Sequence, residues 1–157
     1  MYNYNTIDLC KEYDFLMSEK NTTETLAVSY ADVDYNVRLP EAEFEVMQAV
    51  WNGEAPMTTN YLMKAIGNEK GWKAPTLISF LVRLENRGFI TSCKKGKERF
   101  YTPVAKQELY LSAVTDQFVQ KYHNGSFVHL LDSLYHDRNF SNEEVDALLE
   151  WLKVKYH

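Results

Sequence analysis

The residues best suited to chemistry in this 157-residue chain are nine cations gathered between positions 70 and 106. They are Lys70, Lys73, Arg83, Arg87, Lys94, Lys95, Lys97, Arg99 and Lys106, opposed there only by Glu85 and Glu98. The whole chain has a formal net charge of -5, and segments 1–39, 40–69 and 107–157 each carry -4. A basic island with acidic flanks is the footprint of a surface that meets phosphates, although a solvated basic face without a partner would give the same count. Four histidines, His123, His129, His136 and His157, are the other groups that could work on a ligand. His123 and His129 are separated by an expected helix break, and no Asp, Glu or Cys stands at ligand-like spacing from them. Neither a catalytic centre, a metal site nor a cofactor is expected. Cys10 and Cys93 are too few and too far apart for a disulfide framework or a Cys-x-x-Cys site, and both read as free thiols.

Elements to carry the basic island follow from apolar spacing. In "PEAEFEVMQAVW", Pro40 stands at the first turn, acidic residues lie near the positive end of the helix dipole, and Phe44, Met47, Val50 and Trp51 recur at helical spacing. Asn52-Gly53 ends this helix. Thr58 is the cap candidate for "TNYLMKAIG", where Leu62, Ala65 and Ile66 share a face and Gly67 stops the run. Pro75 then opens a third helix, which runs to about Arg87 and is closed by Gly88. Helical periodicity assigns Leu77, Phe80, Leu81 and Leu84 to the core, and Pro75, Ser79, Val82, Arg83 and Asn86 to the outside. The segment "FITSCKKGKERFYTPV" offers two β-prone runs around Lys95-Gly96-Lys97, which predicts a short hairpin with a basic tip.

From Lys106 the pattern is helical again, to a break at Asn124-Gly125. "SFVHLLDSLYHD" gives a shorter helix, and Ser141 caps a last one, with Glu144 completing a capping-box spacing. Three amphipathic helices are too few for a large core of their own, so they are expected to bury their apolar faces against a second copy. The dimer contact then falls on Leu111, Val114, Phe118, Phe127, Leu130, Leu131, Leu134, Leu148, Leu149 and Leu152. The chain accordingly divides into an N-terminal extension (1–38) holding a short helix and an extended segment, a domain over 39–105, and a helical dimerisation region over 106–157. No apolar run approaches the roughly 18 residues of a membrane span, and "MYNYNTIDLCKEYDF" lacks the pattern of a secretory signal, so a cytoplasmic protein is expected.

Three helices followed by a basic hairpin is the order of a winged helix-turn-helix, so the fold class expected is mainly α with a small β-hairpin wing. In that architecture the third helix enters a major groove and the hairpin follows the backbone. Thr76 and Ser79 are placed to hydrogen-bond to bases or phosphates, and Pro75 and Ile78 to make apolar contact, for example with a thymine methyl. Lys73, Arg83 and Arg87, with Lys94, Lys95, Lys97 and Arg99 of the wing, are placed for phosphates. Thr76 serving only as a helix cap, and Arg87 only solvating the helix end, are the structural alternatives. Lys97 and Arg99 make the strongest case, because a hairpin tip needs no such charge to fold. A winged helix that binds protein rather than DNA is the rival reading.

The span from Leu39 to Pro103 resembles the penicillinase-repressor (BlaI/MecI/CopY) family of transcriptional regulators. The resemblance rests on "LPEAEFEVMQAVW", "WKAPTLISFLVRLENRGFI" and "GKERFYTP", in matching order and spacing. It implies a homodimeric repressor on a palindromic double-stranded DNA operator, with the C-terminal helices as the dimer contact. The cysteine-rich tail motif of the copper-responsive branch is missing, so copper sensing is not expected. In the β-lactam branch a regulatory protease cuts an Asn-Phe bond; here Ser133-Leu134 falls near that position, and the Asn-Phe pair is Asn139-Phe140. Ile78 stands where a basic residue is common in the family.

Overall fold

The computed structural model describes residues 33–137 and 140–156, and the helix and most of the extended segment expected in the N-terminal extension lie outside them. The order is α1 (Glu41–Asn52), β1 (Met57–Thr58), α2 (Thr59–Leu62, continued by a π-helical stretch Met63–Gly67), α3 (Ala74–Asn86), β2 (Ile90–Lys95), β3 (Glu98–Pro103), α4 (Gln107–His123), α5 (Phe127–Asp137) and α6 (Asn142–Tyr156). Helices dominate, and the strands form a small antiparallel sheet in the order β1-β3-β2, as a winged helix requires. The chain divides into two compact units after Ala113.

In the first unit, α1 buries Val46, Met47 and Val50, and α3 buries Leu77, Leu81 and Leu84. Phe80 departs from the expected core set. It is half-buried, with its ring 5.0 Å from that of Trp72, because a side chain at the edge of an apolar stripe is shared between core and surface. Ala65 is exposed for a related reason: the π-helical stretch advances fewer degrees per residue, so three residues fall further short of a full turn and Ala65 leaves the face of Leu62, while Ile66 stays buried. Thr58 caps α2 as expected, its hydroxyl accepting from Tyr61 N at 3.2 Å.

Gly88, at φ 77°, turns the chain out of α3 into the hairpin. The wing pairs Ile90 with Pro103 through to Lys95 with Glu98. Its two-residue loop Gly96-Lys97 has Gly96 at φ 63°, the first-position glycine that suits a type II′ hairpin. β1 adds Met57 and Thr58 opposite Tyr101 and Phe100. Two residues are too short for any periodicity, so this strand exists only because β3 offers it a free edge.

An aromatic cluster closes the unit. Tyr110, from the start of α4, lies 5.8 Å from Phe44, 5.8 Å from Trp51 and 5.5 Å from Phe89, centroid to centroid. Trp51 Nε1 donates to the Ala105 carbonyl at 2.7 Å. The backbone N–H of Leu39 donates to the Tyr110 hydroxyl oxygen at 3.0 Å, in a buried setting. The opening turn of α4 is thus part of the winged-helix core.

The second unit holds the rest of α4, α5 and α6. Asn124 (φ 52°) and Gly125 (φ 73°) reverse the chain between α4 and α5. The capping box at α6 is complete: Ser141 N donates to Glu144 Oε2 at 2.8 Å, and Glu144 N donates to Ser141 Oγ at 3.2 Å. Beside it, Glu143's own backbone N–H and then the Ser141 hydroxyl hold the Glu143 carboxyl below its ordinary range.

Tyr110→Phe should leave the Leu39 N–H buried without an acceptor and cost about 1–3 kcal/mol. Urea unfolding followed by tryptophan fluorescence reads this loss; an unchanged midpoint would show that the bond adds no stability.

Candidate nucleic-acid interface

The outward face of α3 is continuous. Pro75, Ser79, Val82, Arg83 and Asn86 are exposed, as the periodicity predicts, and Thr76 and Ile78 are exposed with them. Lys73 occupies the N-cap position without a side-chain cap bond, and Pro75 sits within the first two helical positions. Thr76 is therefore not the cap of α3, and its side chain is exposed. The Ser79 hydroxyl donates to the Thr76 carbonyl at 2.7 Å, which commits its proton but leaves its oxygen able to accept. Ile78 and Val82, one turn apart, keep 42% and 47% of their surface exposed. They form an apolar strip along an otherwise polar face.

The nine cations separate into distinct groups. Arg83 and Arg87 both reach Glu43 of α1: Arg83 Nη1 lies 3.5 Å from Oε1, and Arg87 Nε lies 3.2 Å from Oε2. Glu43 is 2% exposed, and its Oε2 has no aligned hydrogen-bond donor, so Coulomb attraction to Arg87 is what compensates that oxygen. The Arg83 guanidinium also lies 5.7 Å from the centroid of the Phe80 ring. Its side chain remains 57% exposed, so it faces solvent while anchored. Lys70 pairs with Glu45, whose hydrogen bond raises the Lys70 pKa. That contact draws Lys70 toward α1.

Arg99 has a structural role that its place near the hairpin tip did not suggest. Its Nη1 donates to Ser92 Oγ at 2.6 Å, and Ser92 Oγ donates to Glu85 Oε1 at 2.6 Å. Ser92 is buried, so this chain ties the inward face of the wing to the last turns of α3. Strand register explains it: Ser92, Lys94, Arg99 and Tyr101 share one face of the ribbon, the face turned toward the core. Lys94 and Arg99 are directly opposed, a like-charge pair that is unfavourable unless other groups offset it. Lys94, Lys95 and Lys97 are exposed. Among the described residues, no ion pair holds Lys73, Lys94 or Lys97.

Glu43 is the functional residue that sequence reasoning passed over. It reads as one of several acids near a helix start, yet with Val46, Met47 and Val50 it completes an i, i+3, i+4, i+7 stripe. That spacing was the available signal. The histidines were also judged apart, whereas His123 Nδ1 and His129 Nδ1 stand 3.1 Å from each other.

A sequence model of the family described as "Penicillinase repressor" matches residues 39–154. The chain belongs to that family. It is 25% identical over 116 residues to the penicillinase repressor of Bacillus licheniformis, covering 74% of this chain and 90% of that one. It is 25% identical over 117 residues to the methicillin resistance regulatory protein MecI of Staphylococcus aureus, covering 74% and 94%. Among solved structures, the monomeric form of Bacillus licheniformis BlaI with the blaP half-operator is 28% identical with a TM-score of 0.40, covering 47% of this chain and 89% of that one.

Glu43→Gln keeps the volume but removes the charge that both arginines share. It should destabilise the fold by about 1–3 kcal/mol. Glu41→Gln, on the exposed first turn of the same helix, should leave the midpoint in place. Urea denaturation of the two variants checks this, and equal midpoints would show that the Glu43 carboxylate does not hold α3.

Proposed function

We propose that this member of the penicillinase repressor family is a sequence-specific DNA-binding repressor, acting as a homodimer on a palindromic double-stranded operator in the cytoplasm, and not an enzyme. The observation that carries the reading is the continuous exposed face of α3 flanked by Lys73, Lys94 and Lys97, which serve no ion pair among the described residues. Cations that fold does not use, beside a helix face with polar and apolar groups, suit a surface that grips phosphates and reads base edges.

In this reading Thr76 and Ser79 hydrogen-bond to bases or phosphates, and Pro75 and Ile78 meet thymine methyl groups. Lys73, Arg83, Arg87, Lys94, Lys95, Lys97 and Arg99 face phosphates. Arg83, Arg87 and Arg99 do so from anchored positions, which lowers the entropy lost when they bind. Residues 39–105 supply the DNA-binding domain, to whose core the opening turn of α4 adds Tyr110, and the helices of residues 106–157 supply the dimer contact. Supporting the dimer, Leu111, Phe118, Phe127, Leu134 and Leu149 are each more than 40% exposed in the single chain. Val114, Leu130, Leu131, Leu148 and Leu152 are half-buried beside them in sequence. Such a density of exposed large apolar groups marks an interaction surface. None of the described helices is long and apolar enough to cross a membrane.

Control by a regulatory protease belongs to the same proposal. The Ser133-Leu134 bond lies inside α5, with the Ser133 hydroxyl donating to the His129 carbonyl at 2.9 Å, so cleavage there requires local unwinding. For Asn139-Phe140, Asn139 lies outside the described residues.

A dimer neutralising roughly 6 to 8 phosphates should bind with a slope of about -5 to -7 in log K against log salt. A gel shift with the promoter beside its own gene, at several salt concentrations, measures it; binding no better than to random DNA would reject a specific repressor. Lys97→Ala should weaken binding to all sequences alike and reduce the slope by about 1, and an effect limited to one operator variant would contradict a phosphate role. Leu134→Glu with Leu149→Glu should give a monomer in sedimentation, and a persistent dimer would place the contact elsewhere.

A further inference from the structure

The turn between α4 and α5 brings together two imidazoles that the repressor reading does not use. Asn124 and Gly125 reverse the chain with positive φ, and Ser126 N donates to the His123 carbonyl at 2.8 Å. Ser126 Oγ then accepts from His129 N at 3.1 Å, capping α5. These bonds set the backbone on which both rings stand. The His123 ring is packed against Phe118 at 5.3 Å, centroid to centroid, and the residue is 8% exposed, while His129 is open to solvent. The rings meet edge to face, with centroids 5.0 Å apart and the two Nδ1 atoms 3.1 Å apart.

We infer that His123 and His129 form a two-histidine site for a divalent transition-metal ion of the zinc, copper and nickel class. Imidazole nitrogen is the ligand these ions favour, and either ring nitrogen serves. The geometry suits one ion held by both rings. Metal–nitrogen bonds of about 2.0–2.1 Å at a near-tetrahedral angle put two ligand atoms about 3.3 Å apart, against 3.1 Å here. Without metal, one Nδ1 carries a proton and the other accepts it. When the ion binds, the Nδ1 proton leaves to water and Nε2 of the same ring takes one up, so both rings stay neutral and both Nδ1 lone pairs face the ion. Among the described residues no third His, Cys, Asp or Glu completes a metal-binding group. Water reaching the exposed His129 side therefore fills the remaining positions, which makes the site an open one. Held this way, the last turn of α4 and the first turn of α5 become one cross-linked unit.

The test is isothermal titration of the full-length chain with zinc chloride in chelator-free buffer, beside His123→Gln, His129→Gln and His157→Gln. The parent should bind one ion per chain, and His123→Gln and His129→Gln should each weaken binding by more than about tenfold. His157→Gln should bind as the parent does. Absence of binding, a loss that follows His157→Gln instead, or variants that bind as tightly as the parent would each overturn the site. Nitrogen-15 NMR of the parent's histidine rings gives a readout that needs no variant to fold. Zinc should shift the Nδ1 signals of His123 and His129, and shifts confined to Nε2 would reject this geometry.

Discussion

One buried carboxylate on α1 meets two guanidiniums on α3, and the orientation of the whole candidate interface depends on it. Glu43 is almost fully enclosed, so its charge must be compensated inside the protein. Arg83 and Arg87 stand one helical turn apart and approach different oxygens of the same group. Two contact points along the axis resist both sliding and rotation of α3 against α1, which a single contact would not. The apolar core of Leu77, Leu81 and Leu84 supplies the attraction between the helices, but apolar packing has little directional preference. The apolar stripe sets which face of α3 turns inward, and the paired arginines fix its register against α1.

The wing is fixed by the same kind of device one layer out. Glu85 accepts from Ser92, and Ser92 accepts from Arg99, so a carboxylate near the end of α3 reaches a guanidinium on β3 through one buried hydroxyl. Beside Lys70, which pairs with Glu45, six cations of the basic island form two populations of charge. Arg83, Arg87 and Arg99 assemble the surface, and Lys73, Lys94 and Lys97 are carried by it. The division follows residue chemistry: a guanidinium offers several fixed donors and can hold a carboxylate or hydroxyl while turning others to solvent, whereas an ammonium is a single hydrated charge on a flexible stem.

Much of the fold was legible because its signals are local. The cap at Thr58, the glycine at Gly88, the hairpin loop at Gly96-Lys97 and the reciprocal Ser141–Glu144 box each involve a few consecutive residues. The outward face of α3 was legible too, because helical periodicity fixes which side chains share a side. Less was legible where two distant segments meet. β1 requires the edge of β3, and the role of Tyr110 in the winged-helix core requires Phe44, Trp51 and Phe89 to converge on it. The pairing of His123 with His129 depends on the sense in which the Asn124-Gly125 turn reverses the chain.

The sequence by itself determined the order of the helices and the hairpin, the basic island and the side of α3 that faces out, since composition and periodicity are properties of neighbours along the chain. Only the tertiary structure decided which cations are tied down and which are left over. A charge count treats Arg99 and Lys97 alike, but strand pleating turns Arg99 toward a buried serine and leaves Lys97 in the loop. It likewise treats Glu43 as one more acid, although burial makes it the group that two arginines must answer. Desolvation is the physical reason: the consequence of a charge depends on what surrounds it, and what surrounds it is set by segments far away in the chain.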